Sequence, residues 1–175
     1  MERPPGHVFI SYVREDSERV DRLELELKKA GLSVWRDVNA IGPGSDWQLE
    51  IRKAIKSRSV AFIACFSHAS QQRDVSYQRE ELVLAAEQIR LRPPGRSWFI
   101  PVRFDDYEIP DYDIGAGKTF NNLNRLDLLD GNWSGFNKLL VALATVLSLE
   151  SAADRPTASR DTVSVGDQLR LVFLR

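Results

Sequence analysis

The stretch VAFIACFS, residues 60–67, constrains this chain more than any other. Apart from its final serine it is apolar without interruption. A strand with one wet face alternates apolar and polar side chains, whereas a continuous run must be buried on both faces. Such a strand belongs at the centre of a parallel sheet with helices above and below it. The remaining runs supply its neighbours. HVFISY (7–12), LSVW (32–35) and SWFIPVRF (97–104) read as strands, and NRLDLLD (124–130), less apolar, reads as an edge strand. Helical patterns separate them. Val20, Leu23, Leu27 and Ala30 recur at helical spacing after a cap at Asp16 or Ser17, and Gly31 stands where a helix ends. A second helix opens at Ser45-Asp46-Trp47-Gln48, with Trp47 as its core anchor and Ile51, Ala54 and Ile55 on the same face. A third runs from about residue 74 to Leu91, closed by Pro93, Pro94 and Gly95. A fourth covers about 133–149 and buries Phe136, Leu139, Leu140, Leu143 and Leu147.

Strands that alternate with helices build βαβ units, and right-handed crossovers then give a doubly wound α/β sandwich with a parallel sheet. Ligands in such folds sit at the carboxyl ends of the strands, where the strand order switches. That rule selects residues 12–16, 36–46 and 67–77. Residues 6–149 form the domain. Residues 150–175 read as a polar linker followed by a β-prone tail, TVSVGDQLRLVFLR, a docking or interaction segment.

Composition narrows the partners. The net charge is −1 with scattered basic residues, which offers no nucleic-acid or membrane surface. The longest apolar helical stretch, LLVALATVLSL, is too short to span a bilayer, and MERPPGHVF lacks a signal-peptide layout. The lone cysteine, Cys65, allows no disulfide within the chain. These features predict a cytoplasmic location.

Several motifs fail the test of mechanism. GAGKT (115–119) resembles the end of a phosphate-binding loop, but Tyr112 stands where the leading glycine is required and no strand runs directly into it. The expectation there is a surface loop within a long connection, 105–122. His7, Cys65 and His68 show no metal-ligand spacing, and Cys65 reads as a small buried hydrophobe. The pair Glu80-Glu81 is more informative. At 100° per residue, Leu82, Ala85, Ala86 and Ile89 share the core face, so Glu80 points to water. Glu81 falls about 90° from the core centre by the same helical phase, at the rim of the predicted cleft.

Taken together, HVFISYVRED, VWRDVNAIGPGSDWQLEIRKAI, FIACFSHASQQRDVSYQREEL and FIPVRFDD resemble a TIR (Toll/interleukin-1 receptor) domain of the bacterial type, over about residues 6–148. The resemblance implies a flavodoxin-like sheet of five parallel strands. It also implies one of two functions. Some family members are scaffolds for homotypic assembly. Others cleave NAD at the nicotinamide–ribose bond, using a glutamate four residues after a tryptophan, early in the helix that follows the third strand. That glutamate matches Glu81, and the tryptophan position holds Tyr77. The resemblance therefore implies NAD as substrate, with no cofactor or metal, and self-association with other TIR domains. It places substrate contacts at Ser11, Tyr12, Arg14, Asp37, Ser67 and Tyr77, with catalysis at Glu81. Asp37–Ser45 matches a loop that covers the site in the family and takes part in assembly. The product, linear or cyclic ADP-ribose, stays open, as does the non-catalytic scaffold. A phospho-receiver of similar topology is disfavoured, because Ser67 stands where it needs an aspartate.

Overall fold

The structure is a computed structural model and describes residues 6–36, 49, 52–71, 77–93, 95 and 97–153. Five strands form one sheet: β1 (His7–Ser11), β2 (Val34–Arg36), β3 (Ser59–Phe66), β4 (Phe99–Arg103) and β7 (Leu126–Asp127), in the order β2-β1-β3-β4-β7. Every pairing within it is parallel. A small antiparallel hairpin, β5 (Asp113–Gly115) and β6 (Lys118–Thr119), stands apart from the sheet. The helices are α1 (Ser17–Lys29), α2 (His68–Gln71), α3 (Tyr77–Leu91) and α4 (Phe136–Ala153). The strand order turns back between β1 and β3, which is the arrangement of a flavodoxin-like sheet.

The central strand is buried at all eight positions. Its side chains alternate between two cores. Ala61, Ile63 and Cys65 join Val8, Ile10 and Val102 beneath Val20, Leu23 and Leu27 of α1 and Leu139 and Leu143 of α4. Phe62, Ala64 and Phe66 join Phe9 and Phe99 beneath Leu82, Ala85 and Ala86 of α3. On the α3 face the register sets Trp35, Phe9, Phe62 and Phe99 side by side on successive strands. Their rings follow one another at 4.9, 5.0 and 5.5 Å, and Phe120 continues the row 4.4 Å beyond Phe99. Offset aromatic contacts of this kind add to the burial of the rings themselves. Cys65 is fully buried. Burial, and then the negative charge of Asp16, push its thiol pKa well up, so it is an inert core residue.

The ends of several elements differ from expectation. Asp16 occupies the N-cap position of α1 but makes no capping hydrogen bond, because its carboxylate is engaged elsewhere. Gly31 closes α1 as anticipated: it takes a φ of 83°, and Leu32 N–H reaches Leu27 O at 3.1 Å. The expected edge strand 124–130 shrinks to Leu126–Asp127. Beyond it, Leu129 bridges Asn132 in an antiparallel sense across Gly131, whose φ is 77°. The last helix starts at Phe136, three residues later than its apolar pattern suggests; Asn132 Oδ1 accepts from Ser134 N–H in a local turn that delays it. The connection 105–122 is not featureless. GAGKT forms the β5–β6 hairpin, with Ala116 and Gly117 at φ 54° and 69°, the positive angles that a tight hairpin turn needs at both central residues. Of the helix expected to open at Ser45, residues 45–48 and Ile51 lie outside the described residues. Its end closes as a π-helical turn, Ala54–Arg58. The tail beyond Ala153 also lies outside them. No helix among the described residues is long and apolar enough to cross a membrane.

Two stability outcomes follow. Phe62→Ala, at the middle of the aromatic row, should cost about 3–5 kcal/mol in urea unfolding. Arg103 grips Asp127 through two hydrogen bonds of 2.7 and 3.0 Å, and this holds the Asp127 carboxyl below its ordinary range. The pair therefore contributes fully above about pH 4, the ordinary aspartate value. It fades as pH falls through the lowered folded value. Since the pair is partly exposed, Asp127→Asn should cost only about 0.2–1 kcal/mol at pH 7, and this difference should shrink in unfolding curves recorded below pH 4.

Candidate active site at the carboxyl ends of β1 and β3

The crevice selected by the strand order lies where β1 and β3 end. Ser11 closes β1, and its residue is fully buried. Alternation along β1 places its side chain on the face of Phe9, the α3 face. Its Oγ has no hydrogen-bond partner among the described residues. A buried hydroxyl without a partner is costly in a finished core, and such groups mark places where a ligand or water completes the set.

The first turns of α3 cover this junction. Gln78 is buried and its Nε2 donates to Cys65 O at 2.6 Å and towards Ser11 O at 3.5 Å. One amide thus ties the ends of the two central strands to the helix. Glu81 follows one turn later, on the same side of α3 as Gln78, Leu82 and Ala85, and is only 6% exposed. Helical phase set Glu81 at the rim; it lies deeper, because the buried arc of α3 extends from the apolar face through Gln78 and Glu81. Glu80 is exposed, as expected. Placing a carboxylate beneath a helix costs solvation, and the same removal from water strengthens its pull on any cation brought close.

The other expected residues fall into a second group, on the α1 face. Ser67 is buried, but its Oγ donates to Asp16 Oδ2 at 2.5 Å. Asp16, itself buried, also accepts from Arg19 Nη1 at 2.9 Å. Arg19 continues to Asp130 with its other nitrogens, one bond measuring 3.1 Å, and this interaction lowers the Asp130 carboxyl pKa. The Ser67 hydroxyl is therefore part of a structural chain that joins the end of β3 to the start of α1. Tyr12 is half-buried against the α1-side core, with the Arg36 guanidinium over its ring at 5.6 Å. Arg14 is exposed in the 3-10 turn Arg14–Asp16. Tyr77 is the first residue of α3; its side chain, and all of Asp37, lie outside the described residues. Ser11 thus lies on the α3 face, where Gln78 reaches the end of β1 and Glu81 is buried one turn further along the helix, whereas Tyr12 and Ser67 belong to the α1 face.

Sequence reasoning missed three participants. Gln78 carried a signal: a polar residue one turn before Glu81 and four before Leu82. Asp16 was read as a helix cap. Arg36, at the end of β2, pairs with Asp21 and with Glu24, Nε to Oε2 at 2.7 Å, while its buried Nη1 has no partner among the described residues. Nor did spacing reveal that His68 meets Asp105 and Asp106, its Nδ1 lying 3.1 and 3.5 Å from their carboxylate oxygens. Asp105 also accepts the His68 backbone N–H, so the cluster serves as a cap for α2.

Comparison with known proteins fixes the class. The TIR domain family profile matches residues 8–140, and the chain belongs to that family. Solved structures similar to it include two from metazoans. One is the TIR domain of the Toll-related receptor TRR-2 from Hydra magnipapillata, at 19% identity and a TM-score of 0.58, covering 79% of this chain and 98% of that one. The other is a metazoan TIR-STING receptor from C. gigas in complex with 2′,3′-cGAMP, at 19% identity and a TM-score of 0.62, covering 82% of this chain and 41% of that one. The match spans less than half of that receptor. At this identity both show the shared fold. No curated protein matches the chain.

Gln78 and Ser11 should respond differently to substitution. Gln78→Met, which keeps the length and removes the amide donor, should lower unfolding free energy by about 1–3 kcal/mol. Ser11→Ala should be neutral or stabilising in the same assay, since its Oγ has no partner among the described residues.

Proposed function

We propose that this TIR domain cleaves NAD between nicotinamide and ribose, releasing nicotinamide and either ADP-ribose or a cyclic ADP-ribose product. The observation that carries the reading is the buried Glu81. It lies in the first turns of α3, one turn after Gln78, whose amide reaches the ends of β1 and β3, and four residues after the aromatic Tyr77. Family membership supports it, because the NAD-cleaving members carry a glutamate at this position.

The chemistry suits a single carboxylate. Nicotinamide in NAD already bears positive charge and leaves as a neutral molecule, so the C–N bond breaks without a strong general acid. The ribose passes through an oxocarbenium-like state, as in glycoside hydrolysis. Glu81 is the group that stabilises this charge and accepts a hydrogen bond from a ribose hydroxyl. The bond electrons go to the nicotinamide ring. Water then adds at the ribose carbon and loses a proton, giving ADP-ribose; attack by an adenine nitrogen instead closes the cyclic product. Ser11, whose Oγ has no partner among the described residues, is a hydroxyl suited to a substrate contact. Tyr12, Arg14, Asp37 and Tyr77 complete the proposed contacts. Ser67 acts from behind them, through Asp16. No metal or cofactor is needed for this chemistry. The domain works in the cytoplasm and becomes active on self-association with other TIR domains, in bacterial antiphage defence or signalling.

A second reading is a non-catalytic scaffold for homotypic assembly. Two features favour it: tyrosine in place of tryptophan at position 77, and the commitment of Ser67 to Asp16.

Concentrated protein incubated with NAD should release nicotinamide, detected by chromatography. Glu81→Gln should lower the rate at least a hundredfold, equivalent to about 2.7 kcal/mol of transition-state stabilisation, with the fold retained. Full activity in Glu81→Gln protein would remove Glu81 from the chemistry. No turnover at any concentration would establish the scaffold.

A further inference from the structure

A second concave site lies at the opposite end of the sheet. Strand β7 pairs with only Val102 and Arg103, the carboxyl end of β4. The amino half of that edge, Phe99 to Pro101, carries no strand on this side among the described residues. The end of α3, the β5–β6 hairpin and α4 surround the gap, leaving a groove of about 770 Å³. That volume is within the range of small-molecule sites, roughly 300–1,000 Å³. Pro101 offers no N–H, so the open edge is poorly suited to an added peptide strand.

The lining has two parts. Ile89, Ile100, Ile114, Leu123 and Leu126 form an apolar floor. Arg90, Arg92, Lys118 and Lys138 supply the charge, and no Asp or Glu among the described residues lines the groove. Acidic and basic residues are nearly equal in number in this chain, so four cations without an acid is a local departure. Two of the four are held in place. Arg90 Nη2 bonds Asp113 O at 2.9 Å and lies 3.1 Å from Asp113 Oδ2, which pins the hairpin to α3. Gly115 permits that contact: a Cβ there would stand 3.2 Å from Arg90 Cγ. The Arg92 guanidinium lies over the Trp98 ring at 4.2 Å. The two lysines are different. Neither Lys118 nor Lys138 has an ion pair among the described residues.

We infer that this groove binds a small organic phosphate monoester. Two unneutralised ammonium groups match a dianion, and a phosphate monoester carries about −1.5 to −2 charge at neutral pH. The apolar floor matches a ring or sugar-and-base body attached to that phosphate. The site is distinct from the β1–β3 crevice, and its occupancy does not depend on NAD cleavage.

The test is equilibrium titration of the full chain by calorimetry with AMP, ribose 5-phosphate, inorganic phosphate and adenosine. AMP should bind saturably, and more tightly than either inorganic phosphate or adenosine. The double variant Lys118→Glu/Lys138→Glu should weaken AMP at least tenfold. Lys56→Glu, an exposed lysine outside the groove, should leave it unchanged. Added salt should weaken binding, and Glu81→Gln protein should bind AMP as the parent does. The inference is overturned if no phosphate ester binds saturably at millimolar concentration. Unchanged affinity in the lysine double variant would also overturn it, as would inorganic phosphate binding as tightly as AMP. Loss of AMP binding in Glu81→Gln protein would place the ligand in the other crevice.

Discussion

Everything in this domain is arranged around β3, a strand dry on both faces. A strand without a wet side requires a core above and a core below it, hence two layers of helices and strand pairing along both edges. The row of rings from Trp35 through Phe9, Phe62 and Phe99 to Phe120 anchors the α3 side. Smaller residues, Ala61, Ile63 and Cys65, let α1 and α4 approach on the other. The carboxyl end of β3 is consequently enclosed from both sides, and each side solves the resulting polar problem with its own groups.

On the α1 side the solution is complete: Ser67, Asp16 and Arg19 satisfy one another and reach Asp130. On the α3 side it is partial. Gln78 satisfies the strand carbonyls, but the Ser11 hydroxyl has no partner among the described residues; Glu81 is buried one turn after Gln78. A stable core gains nothing from a buried hydroxyl without a partner. A site that receives a polar, cationic substrate does, because the ligand supplies the missing partner in a medium where charge interactions are strong.

Much of the architecture is legible in the sequence because it rests on periodicity. The strand cores, α1, the end of α3 and the central place of β3 follow from apolar spacing alone. Element ends do not, since they are set by side chains far apart in the chain. Asp16 looks like a helix cap until Ser67, 51 positions later, takes its oxygen. The edge strand looks longer than Leu126–Asp127 because its apolar pattern continues past the point where Gly131 turns the chain. The hairpin at 113–119 has the glycines of a turn but no apolar alternation to announce strands. Within the candidate site, Glu81 was legible from helical phase and from family resemblance, though its depth was not. Which of Ser11 and Ser67 finds a partner among the described residues could not be read at all, because strand alternation sends them to opposite faces and only the partners on each face decide.

The most direct test is a crystal structure of Glu81→Gln protein with NAD. The expected result is nicotinamide ribose at the carboxyl ends of β1 and β3, with a ribose hydroxyl within about 3 Å of the residue-81 amide and the Ser11 hydroxyl bonded to the ligand. NAD bound away from this crevice, with Ser11 and residue 81 still enclosed by protein alone, would contradict it.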